Sequence, residues 1–422
     1  MISKYLDAGL TAILILILAS APTQYSFAVG GAHLSIADPL IWLGGFLFCI
    51  SAAVRILFAK DSGTPFKRIL ATLKEILPLP ENILFVVLIS LSFFKAESKS
   101  DAAKELFQVV EYVIVAFVLF SKLKYDDKKM AKFTVLFLAL VSIVVLTAVL
   151  QYFDSSADIM GVKGTFGNRN TYGGFLAVTL PVILSIVLLI GKWRIKIWGL
   201  LILATAGITV LSGGAAIGLL FACSLVCVFV SRRAFLIWAT IIAVSAAFVL
   251  PVLPRHNMEV LKSSVSMFND EGQVEPRYME WQASVQMWRV EPLLGIGLGN
   301  YQSQIGMNYG VLKIKEGPKE QDHNNLFLVF ASSTGLLGLI GLLTMLIFWF
   351  QRTTTTFSPY RSGVDSSPAS HQQILALGAM GALAAFCITS IWTALLVRGV
   401  FVLFVIIVAA AISCGRQSME SK

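Results

Sequence analysis

The chain has 422 residues, of which 57% are hydrophobic and 14% charged, and its formal net charge is +9. So apolar a chain of this length has more than one soluble core can bury, which excludes an ordinary soluble domain. The cations sit in short stretches between apolar runs, the pattern of inner membrane loops, and do not form the basic face that nucleic-acid binding needs.

Runs of about 18 or more apolar residues cross a hydrocarbon layer of roughly 30 Å as helices, and about twelve are present. In order they cover 7–26, 37–58, 80–95, 105–121, 132–152, 171–191, 196–211, 215–231, 234–252, 326–350, 374–393 and 396–413. Pro78 and Pro80 blur the start of the third. With the N-terminus inside, Arg55, Lys60, Lys67, Arg68 and Lys74 face the cytoplasm. So do Lys122, Lys124, Lys128, Lys129 and Lys132, then Lys192, Arg194, Lys196, Arg232 and Arg233, and finally Arg416 and Lys422. The expectation is an all-α integral membrane protein of about twelve transmembrane helices. Helices one to nine occupy 1–252, a long outer loop containing short helices spans 253–325, and helices ten to twelve with a cytoplasmic C-terminus fill 326–422.

Residues 1–21 resemble a signal peptide, with Lys4, an apolar stretch and Ala19-Ser20-Ala21. Pro22 directly after that site, and the many later spans, argue for an uncleaved first helix. Cys49, Cys223, Cys227, Cys387 and Cys414 lie in or beside apolar spans without His or carboxylate neighbours, so they read as small hydrophobes and not as metal ligands.

Before the sixth span the chain reads MGVKGTFGNRNTYGGFLAVTLP. Lys163 and Arg169 supply positive charge, Asn168 and Asn170 supply amides, and the glycines permit close backbone approach. This composition suits an anion or a sugar, and equally a capped turn leading into a helix. In the long outer loop, EPRYMEWQASVQMWRVEP reads as a helix begun at Pro276 and closed before Pro292, with Tyr278, Trp281, Val285 and Trp288 as its apolar stripe. Arg277 lies in the first turn, where the helix already carries partial positive charge. The conflict disappears if an anion such as phosphate binds there, or if Arg277 is solvated or paired with Glu275 or Glu280. The following LLGIGLGNY lacks the spacing and the βαβ setting of a nucleotide fingerprint. It reads as a tight turn at Gly295, Gly297 and Gly299, with Asn300 and Tyr301 facing the same cleft.

Residues 321–342 read QDHNNLFLVFASSTGLLGLIGL. Asp322, Asn324 or Asn325 can cap the helix that follows, but His323 is a poor cap and the side chain best suited to accept a proton near neutral pH. Beyond that span, residues 351–373 read as a flexible cytoplasmic connection.

GTFGNRN before a helix, EPRYMEWQASVQMWRVEPLLGIGLGNY in the outer loop and DHNNLFLVFASSTGLLGLIGLL at the next helix together resemble the O-antigen ligase and O-antigen polymerase superfamily. The resemblance covers roughly residues 130 to 350. It implies a bacterial inner-membrane glycosyltransferase of lipopolysaccharide biosynthesis, inverting and metal-independent, with no cofactor. Such an enzyme moves a polysaccharide from undecaprenyl diphosphate to a periplasmic acceptor: lipid A-core in ligases, a lipid-linked glycan in polymerases. His323 takes the place of the general base, and Arg277 that of the residue gripping the diphosphate. Lys163, Asn168, Arg169, Asn170, Trp281, Gly297, Asn300, Tyr301 and Asn324 are the candidate substrate-binding residues. One departure stands out. Many members carry arginine in a Ser-Arg-Gly turn between the seventh and eighth helices, where this chain has Ser212-Gly213-Gly214.

The residues agree with metal independence. Membrane glycosyltransferases that use a metal need outward carboxylates, whereas the first outer loop offers only Asp38 and the Asp126-Asp127 pair is expected inside. Arginines would then stabilise the charge. Ligase, polymerase and a transporter of lipid-linked sugar remain open. A transporter calls for ionisable groups at mid-membrane depth, of which Glu105 and Glu111 are the main examples.

Overall fold

The computed structural model describes residues 2–23, 26–29, 32–58, 77–122, 127–154, 162–210, 212–249, 276–310, 325–361, 369–397 and 399–420. Among these, six helices are long and apolar enough to cross a membrane: Ala37–Val54, Lys129–Phe153, Arg169–Leu189, Gly213–Val230, Leu326–Phe357 and His371–Thr389. Gly9–Ser20, Pro80–Phe94 and Val400–Ser413 are shorter apolar helices.

Helix α1 (Ile2–Ser20) leads into a small departure from the all-helical expectation. Strands β1 (Ser26–Val29) and β2 (Ala32–Ser35) pair antiparallel, with Ser26 opposite Ser35, and Gly30-Gly31 lie between them in sequence. Two glycines between short alternating segments are a hairpin signal, hidden here inside a stretch read as loop. Asp38, in the first turn of α2 (Ala37–Phe58), accepts from the Ser35 amide at 2.8 Å, the Ser35 hydroxyl at 2.7 Å and the Tyr112 hydroxyl at 2.8 Å. This carboxylate is fastened inside the fold.

The next helices are α3 (Pro80–Ser90), α4 (Lys99–Val110), α5 (Phe117–Ser121) and α6 (Asp127–Phe153). Between α4 and α5 the backbone widens to a π-helix over Glu111–Ala116. Asn82 donates to the Val113 carbonyl there at 2.8 Å and accepts from the Trp349 indole at 2.9 Å, so the Val113 carbonyl is not stranded by the widening. The centre of the bundle is α7 (Arg169–Leu189), packed between α9 (Gly213–Val230) and α14 (His371–Thr389). Every residue of α7 from Thr171 to Val187 is buried, as expected of a helix that is apolar on all sides. Small residues let these three helices approach: a Cβ on Gly378 would lie 2.8 Å from Val182 Cα, and one on Gly381 2.6 Å from Pro181 Cβ. Helices α8 (Trp193–Thr209) and α10 (Arg232–Val249), like α6, expose Ile143, Leu146, Leu201, Ile237 and Phe248, as a lipid-facing surface would.

Two shorter helices, α11 (Pro276–Val290) and α12 (Tyr301–Gly310), precede α13 (Leu326–Arg361), and α15 (Val400–Glu420) closes the chain. The sequence predicts a continuous helix from residue 326 onward, but α13 is broken at Gly335, where φ is 65° and ψ is −167°. The break frees backbone groups, and the glycine-rich segment after α11 satisfies them. Leu336 and Leu337 amides donate to the Pro292 and Leu293 carbonyls at 2.9 and 3.4 Å, while Ile296 and Gly297 amides donate to those of Ser332 and Ser333, both at 2.9 Å. Irregular backbone within a membrane protein survives where protein covers it, as here.

Gly297 has φ +106°, and a Cβ on it would lie 2.3 Å from Ala96 Cα. Gly297→Ala therefore should lower stability by on the order of 3 kcal/mol, through strain and a backbone collision together. Thermal unfolding of the purified variant checks this, and an unchanged midpoint would contradict the packing described.

Candidate active site

The start of α7 is built by its own sequence. Asn168 is extended, and its side chain accepts from the Thr171 amide at 2.8 Å, the geometry of an N-cap. The preceding turn is tied to α6 by Gln151. Its Oε1 accepts from the amides of Lys163 and Gly164 at 2.9 and 2.8 Å, and its Nε2 donates to the Gly164 carbonyl at 2.9 Å. Lys163 is exposed, and Arg169 and Asn170 are half-buried at the helix start. One turn below Arg169, a Cβ on Gly173 would meet Ser212 Cβ at 2.8 Å and Ala215 Cβ at 2.9 Å. The Ser212-Gly213-Gly214 turn that opens α9 thus rests against the first turns of the Arg169 helix.

Helix α11 packs differently from its predicted stripe. Tyr278, Trp281, Val285 and Trp288 are only half-buried, while Glu280, Ala283, Ser284 and Met287 form the buried face. The reason is Tyr301, whose hydroxyl lies 2.6 Å from the Ser284 hydroxyl and donates to Glu280 at 3.1 Å. A carboxylate supplied with a donor can be buried, so hydrophobic spacing alone picks the wrong face. Tyr301 and Asn300 are both buried and their polar groups serve the protein itself. Asn300 accepts from the Ser98 amide at 2.7 Å and donates to the Leu298 carbonyl at 3.0 Å. Gly297 is likewise used against Ala96. Beside Gly299, hydrogen bonds from Ser98 and then Lys104 hold the Asp101 carboxyl below its usual range.

Helix α11 meets the first part of α13, where Val329 packs against the buried cluster of Ala283, Met287, Ile296, Tyr301 and Ile305. Both helices run toward Gly335, because Pro292 and Leu293, just beyond α11, pair with Leu336 and Leu337. Their N-terminal ends therefore point the same way. Stepping back from Val329 leads to Asn325 on one helix and toward Trp281 and Arg277 on the other. Arg277 is half-buried, and the Trp281 ring stands edge-on to Tyr278 with centroids 5.0 Å apart. The Trp281 indole nitrogen is buried and has no acceptor among the described residues.

Asn325 caps α13, its side chain accepting from the Leu328 amide at 3.1 Å. His323 and Asn324, directly before it, lie outside the described residues, as do 253–275, 311–322 and 362–368. The free Leu326 amide donates to the Ser390 carbonyl at 2.8 Å. Ser390 begins a non-helical stretch that sequence reading missed. The sequence predicts helices over 374–393 and 396–413, but α14 ends at Thr389 and α15 begins at Val400. Its apolar residues carry a helix-like hydropathy although they form a turn, in which Ala394 and Leu395 are buried; Gly399, at φ +90°, is the signal that marks the interruption. In that turn Trp392 touches Gly214 and Leu395 touches Gly174. The helix starts at Arg169, Gly213 and Leu326 are thus gathered at one end of the bundle.

Residues 198–343, from α8 to just beyond the Gly335 break, match the family model described as O-antigen ligase. Over that stretch the chain is similar to the O-antigen ligase family. The matched stretch contains the Ser212-Gly213-Gly214 turn, Arg277, Trp281 and the DHNN segment. No protein in the curated set matches the chain. Together with the apolar helices, this similarity supports a multi-pass membrane protein related to polysaccharide biosynthesis.

Proposed function

We propose that the protein transfers a glycan from undecaprenyl diphosphate to an acceptor at the periplasmic face of the bacterial inner membrane, with about twelve crossings and inside termini. The observation that carries this reading is the gathering of the Arg169, Gly213 and Leu326 helix starts at one end, with α11, which carries Arg277 in its first turn, packed against the helix that Leu326 opens. Helix starts carry unsatisfied amides and partial positive charge, so this end suits a diphosphate and the negative charge that grows on it as it leaves. Arg277 stabilises the departing diphosphate, and His323 takes the proton from the acceptor hydroxyl that attacks the anomeric carbon from the opposite face. Trp281 offers its indole N–H and ring to the glycan, with Lys163, Asn170 and Asn324 at the rim. Gly297, Asn300 and Tyr301 support the site from within the protein, and Asn168 does so as the cap of α7.

Arg169 supplies the second cationic contact in place of the arginine absent at Ser212-Gly213-Gly214. Gly173, one turn along, touches Ser212, so Arg169 belongs to the helix end nearest that turn. Arg169→Ala should raise the apparent donor KM or lower turnover by about tenfold, the scale of one charge-assisted contact. Unchanged kinetics with donor and acceptor both varied would remove Arg169 from the site.

The reaction is tested by giving purified protein a lipid-diphosphate glycan with separate acceptors. Product on lipid A-core marks a ligase, product on a lipid-linked glycan marks a polymerase, and no product with either overturns the reading. Orientation is tested apart from chemistry. Ser303 is exposed on α12, and a Ser303→Cys variant in intact spheroplasts should react with an impermeant thiol reagent. Labelling only after lysis would put the site on the wrong side.

A further inference from the structure

The stretch from Ser390 to Gly399 lies outside the matched family region, yet it touches three helix starts at once. Ser390 is fully buried, and its carbonyl holds the Leu326 amide, one of the donors that the first turn of α13 cannot satisfy internally. A Cβ on Gly214 would lie 2.5 Å from Trp392 Cβ and 3.0 Å from its Cγ, and one on Gly174 would lie 2.3 Å from Leu395 Cδ2. These contacts leave no slack. The turn is itself stiff, because the Trp392 and Thr393 amides both bond the Thr389 carbonyl at 3.0 Å. A general spacer between helices would need neither a buried backbone bond to another helix start nor two glycines fitted to it.

We propose that this turn is a positioning element of the transfer site, in which Ser390, Trp392 and Leu395 hold the start of α13, just after His323, in register with the starts of α9 and α7. The inference rests on the glycan-transfer reading above. If the acceptor's proton is removed by a group just ahead of α13 while cations near α7 and α11 hold the diphosphate, their separation decides how often the two are aligned. A displacement of about 1 Å in such an arrangement can cost about a hundredfold in rate.

Gly214→Ala tests the idea by pushing on the root of the Trp392 side chain, so that the turn's backbone must move. In the purified full-length protein, hydrogen exchange at the Leu326 amide should speed up by about tenfold or more as its bond to Ser390 loosens. Turnover should fall by about tenfold while the donor KM stays within about twofold, the split expected when alignment is lost and binding is kept. In a Trp392→Gly background, which removes the collision, adding Gly214→Ala should change neither quantity. Unchanged protection of Leu326, or the same loss in both backgrounds, would overturn the positioning role. If Gly214→Ala does not fold, Leu395→Ala is read in the same two assays, where unaltered exchange and turnover are equally fatal. A wild-type protein with no transfer at all overturns the transfer reading, whereas the exchange experiment still decides whether the turn governs the start of α13.

Discussion

Arg277→Ala should lower the rate of glycan transfer by roughly a thousandfold. A guanidinium about 4 Å from a developing charge, at an effective dielectric near 20, contributes on the order of 4 kcal/mol, which converts to about three decades of rate. The contribution appears in turnover because the diphosphate gains charge as the glycosidic bond breaks, so the contact is stronger in the transition state than with bound donor. Arg277 lies in the first turn of α11, half-buried, and α11 packs beside the start of α13. Arg277→Lys keeps the charge but loses the planar fork, and should fall between wild type and alanine. Steady-state kinetics of the three proteins check the order. Equal rates for wild type and alanine would mean that Arg277 serves only the fold.

His323→Ala should remove most of the remaining chemistry and, with it, the loss of activity toward acid pH. A general base must be neutral to accept a proton, so wild-type activity should decline as pH falls below about 6.5, the ordinary value for histidine. The side chain is protonated on the acid side of that value and has no lone pair to offer. Asn325 already caps α13, so capping gives no reason for a histidine two residues earlier. A pH series on wild type and His323→Ala checks the assignment. A variant that keeps both its rate and its acid limb would show that another group takes the proton.

Much of this architecture can be read from the sequence, and the exceptions have physical causes. Membrane helices are legible because length and hydropathy are demanded by the bilayer; α7 and α14 fall where their apolar runs lie. The Asn168 cap before α7 is equally local, since the side chain bonds an amide three residues on. Features that depend on distant partners are not legible. Nothing near Gly335 says that α13 breaks there, because the groups freed by the break are satisfied by Pro292 to Gly297. Glu280 looks like a solvent-facing residue until Tyr301 supplies its donor, and this inverts the buried face of α11. Ser390, Thr393, Ala394 and Leu395 are buried among helices, and hydropathy does not distinguish such a turn from a span. Among the site residues, Arg277 and Arg169 are legible as cations at helix starts, whereas the internal roles of Asn300 and Tyr301 appear only once Ser98 and Glu280 are beside them.

The central claim is that one end of this bundle uses a lipid diphosphate as the leaving group in glycan transfer. It is tested most directly by following undecaprenyl diphosphate release from a glycan-loaded donor, in proteoliposomes of the full-length protein, with and without acceptor. Release that requires acceptor, equals the glycan transferred and is lost in Arg277→Ala is the predicted result. Absence of release with every acceptor supplied, or release unaffected by Arg277→Ala, would contradict the account.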